Sequence, residues 1–449
     1  GHEKLCREIM LPDKPIYRFL TDEQIAALPD QRGLRSWAFE PYLELHHGAA
    51  NAALVPVLHA FRDIWMQGFD RKPNPQRQAN FINCMRVILL NLMRVRTVDA
   101  TLTVGIPSGK ERLNKEKRYR PAFMTVHYHL KALELLQERG LVRLVKAGHQ
   151  QEDYAETARY ALTEAGCDSF LVSGLTTKDF TIAKRDEVVL LKDKEKRLTG
   201  YIDKPETRTM RANLRRLNDL LDRTDIATTR PANPLTDFDD DYCGQKTDLY
   251  RVFNNGSFEE GGRFYGGWWQ HAKKHLRRRI TIDGQPTVEA DFKGLHPAML
   301  FAKQGLPIPP DPYALVPGIA DNDTLRDHAK TTFLALLNAD KRGTSEPKDF
   351  DAAKHGMTAK AFRQSVRDAF PMLPGIFGTG IGVRLQRADS DLAERIMLHF
   401  ADRDVPVLPV HDSFIIAARH RDELVRVMQA VFHDAYGQTP TVTVTPSFP

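Results

Sequence analysis

Two stretches far apart in the chain end in the same way, and together they limit the folds open to it. Residues 286–305 begin as an alternating strand, Thr287-Val288-Glu289-Ala290-Asp291-Phe292, after the turn Asp283-Gly284. They continue as a helix with Leu295, Met299 and Leu300 on one face. Asp291 therefore sits where a strand hands over to a helix, a place where folds commonly display catalytic groups. Residues 405–416 form two apolar runs with His411-Asp412-Ser413 between them, the pattern of a hairpin with a carboxylate near its tip. Taken singly, each aspartate has a plainer explanation. Asp291 suits a helix N-cap, and Asp412 suits an Asx turn.

The region between them adds cations. Residues 322–339 read as a helix on which Arg326 and Lys330, four apart, share a face. A guanidinium and an ammonium one turn apart suit the phosphates of a nucleotide. Carboxylates suit hard divalent cations. Nucleotidyl transfer needs little more than metals, phosphate-binding cations and an in-line geometry. The expectation is that Asp291 and Asp412 hold two Mg²⁺ ions, or Mn²⁺, and that Arg326 and Lys330 hold a nucleoside triphosphate. A metal nuclease is the less favoured alternative, because nucleases carry denser carboxylate clusters than Asp291 and Asp412 make, even with Glu289 added.

A chain of 449 residues exceeds one compact core. The net charge is +6, with Lys and Arg concentrated at 109–120, 184–197, 208–223 and 273–279, which points to a polyanion partner. Each run alone reads as a solvated helix face. The 4 cysteines, Cys6, Cys84, Cys167 and Cys243, are widely spaced, so neither a zinc site nor a disulfide framework is expected. No apolar run reaches the length of a membrane span and no signal peptide is evident. The expected compartment is the cytoplasm, with no membrane partner.

Four regions are expected: 1–78 helical, with candidates at 22–28 and 49–67; 79–172; a basic, thumb-like helical connector at 173–244; and a catalytic unit at 245–449. Pro231, Pro234 and the acidic stretch 237–241 mark a boundary. Within the second region, an apolar helix at 81–95 precedes a basic loop at 104–120. A helix at 121–139 follows, stopped by Gly140, then strands at 141–145 and 158–163 around a polar loop. That order resembles a winged helix-turn-helix, which implies DNA contact through the helix bearing His127 and His129. Those histidines are expected on the helix face rather than as metal ligands. In the connector, Met210, Leu214, Leu217 and Leu221 give one packing face to a helix at 206–221.

The order strand-Asp, Arg-x-x-x-Lys helix and His-Asp hairpin resembles the palm and fingers of single-subunit polymerases, the family A DNA polymerases and phage-type RNA polymerases. The resemblance covers about 250–436. It implies Asp291, with the Phe292 backbone carbonyl, and Asp412 as metal ligands. It places Arg326, Lys330, Phe292, His296 and Asn338 at the nucleotide, His296 where family A enzymes carry a sugar-sensing glutamate. His411, Gln386, Arg263, Tyr265 and Ser413 fall to primer or template, through His411-Asp412-Ser413, Gln386-x-x-x-x-Asp391 and Gly262-Arg263-Phe264-Tyr265. Family members end the triphosphate helix in Tyr-Gly; here Asn338-Ala339 stands there, so sugar choice must differ or be lax. Trp268 and Trp269 are expected in the core and Tyr313 in a turn. The implied fold is α+β, a right-hand-like palm with short helical fingers after a mostly helical N-terminal region containing the winged helix. The implied function is extension of a nucleic-acid 3′ end, DNA with RNA as the alternative. The alternative is a DNA-binding replication initiator or regulator with an inactive palm.

Overall fold

The computed structural model describes residues 10–11, 14–15, 20–27, 36–115, 117–151, 154–229, 246–339 and 349–447. The boundary markers Pro231, Pro234 and 237–241 lie outside the described residues, as do Cys6 and Cys243. The chain mixes helices and strands around two main hydrophobic cores.

The first core gathers around helix α2 (Pro75–Val98), which follows α1 (Gly48–Met66). Asn74 caps α2 by accepting from the Arg77 amide, and Pro75 occupies the first turn, where its missing amide proton is harmless. From Val87 to Val98 every residue is buried, including Asn91, Arg94, Arg96 and Thr97, with Asn91, Arg96 and Thr97 hydrogen-bonded to backbone carbonyls. Trp65 of α1 stacks on Phe81 at 4.7 Å. Helix α3 (Val126–Glu138), capped by Thr125, lies against α2. Beside these helices, β1 (Ser36–Ala38), β2 (Thr103–Gly105), β3 (Val142–Lys146) and β4 (Arg159–Leu162) form a four-stranded sheet in the order β1-β2-β4-β3. The basic segment read as a loop at 104–120 instead holds a short helix, Lys110–Lys115, and a 3-10 turn, Lys117–Tyr119. His129 is wholly buried, which lowers its pKa to about 4 and keeps it neutral. His127 accepts a hydrogen bond from Trp65 Nε1 at 3.1 Å. Leu130 of α3 is 51% exposed.

The second core runs from Val188 to Phe432. Strand β5 (Val189–Leu191) pairs with β7 (Tyr250–Asn254), which pairs with β8 (Ser257–Tyr265). Between β5 and β7 in sequence come α4 (Pro205–Asp222) and β6 (Ile226–Thr228). Helix α4 buries Met210, Leu214, Leu217 and Leu221 into this same core, so its apolar face is committed to the second core. The larger sheet has six strands: β6, β9 (Ile280–Ile282), β10 (Gln285–Phe292), β12 (Ser413–Ala417) and β11 (Leu408–Val410), with β13 (Val442–Pro446) also pairing β10. Helices α5 (Leu295–Lys303), α6 (Asp323–Asn338), α7 (Ala359–Asp368), α8 (Gly382–Ala401) and α9 (Arg421–Tyr436) complete it. Trp268 and Trp269 are buried here, with Trp269 Nε1 donating to the Pro409 carbonyl at 2.9 Å.

The stretch from Asp349 to Phe370 holds two helices rather than one. A short helix, Ala352–His355, stops at Gly356, whose φ of 68° is the left-handed C-cap that glycine favours. Thr358 then accepts from the Ala361 amide and starts α7 afresh. Several members of the basic runs form ion pairs within the chain. Arg211 pairs with Glu187 and Asp203, Arg216 with Asp402, Arg223 with Asp404, and Arg277 with Glu289. Among the described residues no helix is long and apolar enough to cross a membrane.

Candidate active site

Strand β10 shows the burial alternation its sequence dictates: Val288, Ala290 and Phe292 are buried, while Glu289 and Asp291 are half-buried on the opposite face. It runs antiparallel to β12 with Asp291 directly opposite Ser413. Asp412 precedes Ser413 in the tight turn joining β11 to β12. Both aspartates therefore emerge at the same end of one strand pair. His411 completes the turn with φ of 59°, a left-handed conformation that a non-glycine residue rarely adopts.

Asp291 is electrostatically strained. Burial, and then the charge of Asp412, hold its carboxyl up at about 7, against relief from Lys330 and Arg326. Its Oδ1 is shielded from solvent and has no hydrogen-bond partner among the described residues. An orphaned carboxylate oxygen facing a second carboxylate fits a divalent cation that neutralises both, and an all-oxygen donor set suits Mg²⁺ or Mn²⁺. No group of three or more His, Cys, Asp or Glu side chains converges for a metal among the described residues. Glu289, next on the same face, is already engaged. It takes Arg277 at 3.2 Å and 3.3 Å and the Ser413 hydroxyl at 2.8 Å.

Beyond Asp291 the chain turns through Gly294, at φ 61°, directly into α5. A Cβ at Gly294 would lie 3.1 Å from Pro312 Cδ, so only glycine lets the 311–315 segment close over this junction. A cleft of about 440 Å³ opens there, lined among others by Asp291, Lys293, Asp311, Tyr313, Arg326 and Lys330. Arg326 and Lys330 do share a face of α6 towards it. Arg326 is held by Asp311 through a two-point ion pair at 2.9 Å and 3.0 Å. Burial pushes the Asp311 carboxyl up, but hydrogen bonds and charge from Arg326 outweigh it and keep the group below the usual range. Lys330 forms no ion pair among the described residues and bears electrostatically on Asp291.

A second constellation adjoins the first. Asp389 of α8, 3% exposed, takes Arg263 Nη2 of β8 at 2.8 Å and His296 Nε2 of α5 at 2.7 Å on the same oxygen. His296 is thus buried against a carboxylate and lies apart from the cleft lining. Arg263 feels the charge of Asp412, which places it towards the hairpin. His411 packs edge-on to Tyr265 with ring centres 5.7 Å apart. Burial first, then Arg263, lower the His411 pKa. Gln386 lies half-buried on α8.

Asn338 stands apart. It is exposed at the end of α6, donates to the Leu334 carbonyl at 3.0 Å and presses on Gly382, outside the cleft lining. Tyr313, read as a turn residue, is 2% exposed on the 3-10 turn Pro312–Leu315 and lines the cleft. Sequence reasoning missed Asp311, Tyr313 and Asp389. The one local signal was Asp311-Pro312, an N-cap followed by a first-turn proline.

No family model matches the sequence, and no curated protein does. Among solved structures the chain is similar to the POL domain of Pol1 from M. smegmatis in complex with DNA primer-template and dNTP. That similarity has 12% sequence identity and a TM-score of 0.27, over 54% of this chain and 51% of that one. The chain thus spans about half the length of that structure. At such a distance, what the site does has to be read from its own residues.

Proposed function

We propose that the chain is a metal-dependent nucleotidyltransferase, a polymerase that extends a nucleic-acid 3′ end using nucleoside triphosphates. The observation that carries the reading is the convergence on one strand pair of Asp291 and Asp412, beside a cleft to which α6 brings Arg326 and Lys330. Asp291 and Asp412 would hold the divalent ions, with the Phe292 carbonyl as a further oxygen donor. When bound, such ions activate a 3′-hydroxyl and neutralise the triphosphate. Arg326 and Lys330 bind the phosphates, the first after exchanging Asp311 for them, the second as a free point charge. Arg263, fixed by Asp389, and His411 orient the primer terminus; Gln386 and Tyr265 extend that surface. The helix–hairpin unit of α3, β3 and β4 serves as a winged-helix grip on template or duplex.

An extension assay crossing ribo- with deoxyribonucleotides on primed, unprimed and template-free substrates tests the proposal. Lengthened product is expected only with nucleotide and Mg²⁺ or Mn²⁺. Asp412→Ala should reduce incorporation by several orders of magnitude with melting temperature and nucleic-acid binding retained. Full activity in Asp412→Ala, or shortening of the oligonucleotide without nucleotides, would rule the mechanism out.

A further inference from the structure

The cleft contains a donor that the reading above leaves unused. Tyr313 is buried on the turn between α5 and α6, its ring edge-on to Phe333 at 5.7 Å. Asp311 holds this arrangement from both sides. One of its oxygens accepts from the Tyr313 amide at 3.3 Å, while its carboxylate clamps Arg326. The Arg326 guanidinium carbon then sits 5.5 Å from the Tyr313 ring centre. The phenol hydroxyl enters no hydrogen bond among the described residues.

We propose that Tyr313 is a contact residue for the polyphosphate of the incoming nucleotide, its hydroxyl acting beside Arg326 and Lys330; this rests on the polymerase reading of the cleft. Burial, and then the charges of Asp412 and others around it, push the phenol pKa up, so the group is a donor at any working pH. A donor beside a guanidinium and an ammonium matches an anion with several acceptor oxygens. Position supports the same ligand. The ring lines the cleft with Asp291, Arg326 and Lys330, and it feels the charge of both Asp412 and Asp291. Tyr313 therefore shares one cleft with a residue assigned to the metal and the two assigned to the phosphates. A purely structural role needs only the ring, which phenylalanine supplies equally well.

Titration calorimetry with inorganic tripolyphosphate, a nucleoside triphosphate and the matching monophosphate separates these roles in the full chain and in Tyr313→Phe. The variant should bind tripolyphosphate and triphosphate about tenfold more weakly, the value of one hydrogen bond to a charged group. Monophosphate affinity and melting temperature should hold, and ribo- and deoxyribonucleotides should lose equally. Unchanged triphosphate affinity would overturn the proposal while leaving the polymerase reading intact. A loss confined to ribonucleotides would also overturn it, assigning the hydroxyl to the sugar. If the unaltered chain binds neither tripolyphosphate nor triphosphate, the reading of the cleft itself fails.

Discussion

Asp291 carries the clearest single-residue consequence. Folded, its carboxyl keeps a proton up to about pH 7; exposed in the unfolded chain it ionises near 4. The folded state therefore binds more protons across that window, and this group makes stability fall as pH rises from about 4 to about 7, with the full cost present above it. Asp291→Asn removes the cost. In metal-free buffer at pH 8 the variant should melt higher, by an amount on the order of a few kcal/mol. The gain should shrink as pH falls through 7 and vanish near 4. Mg²⁺ should raise the melting temperature of the unaltered chain and not of the variant. A pH-independent difference would show that the carboxyl is not held protonated. The two aspartates were legible in the sequence because a carboxylate at the end of an apolar strand is a local pattern. Their surroundings were not. His296 meets Asp389 from 93 residues away, and Arg326 meets Asp311 from 15; no local spacing records either pairing.

At the scale of elements, the helices with one strong apolar period were legible almost to the residue. The expected 322–339 and 206–221 are Asp323–Asn338 and Pro205–Asp222, because burial of one face decides both existence and length. What periodicity does not reveal is which core receives the face. Helix α4 looked like part of a basic connector, but its Arg211 and Arg216 and its C-cap Arg223 are tied to Glu187, Asp203, Asp402 and Asp404, and its leucines reach the second core. Leu214 is 0% exposed there. Leu214→Ala should lower stability by about 2–5 kcal/mol through transfer loss and the cavity left behind. Denaturant unfolding followed through catalytic-half tryptophans such as Trp269 should shift by the full amount. An unmoved tryptophan transition would mean that α4 unfolds independently.

At the scale of the whole molecule, the question is what joins the two cores. Apolar contact across the join is small, chiefly Tyr119 packed with Leu190 and Val252. The rest is polar. Glu187, 8% exposed, takes Arg118 at 2.8 Å from the first half and Arg211 at 3.0 Å from α4. The same carboxylate accepts the amides of Val188 and Val189 at 3.1 Å and 3.0 Å. Tyr119 donates to the Thr199 carbonyl at 2.7 Å and accepts from the Leu191 amide at 3.1 Å, and Arg185 pairs with Glu40 at 3.0 Å. Charges that the composition offered for nucleic acid are in this way consumed as a seam, which no composition count could show. Because Glu187 is buried, deleting its charge leaves two guanidiniums short of a partner, at a cost of a few kcal/mol. Asp203 also bridges Arg118 and Arg211, but its side chain is 32% exposed, so screening by water makes it worth less. Calorimetry should therefore show one cooperative transition in the unaltered chain and in Asp203→Asn. In Glu187→Gln the transition should divide, the first half melting below the catalytic half. A single undivided transition in Glu187→Gln would place the coupling in the apolar contact around Tyr119 instead.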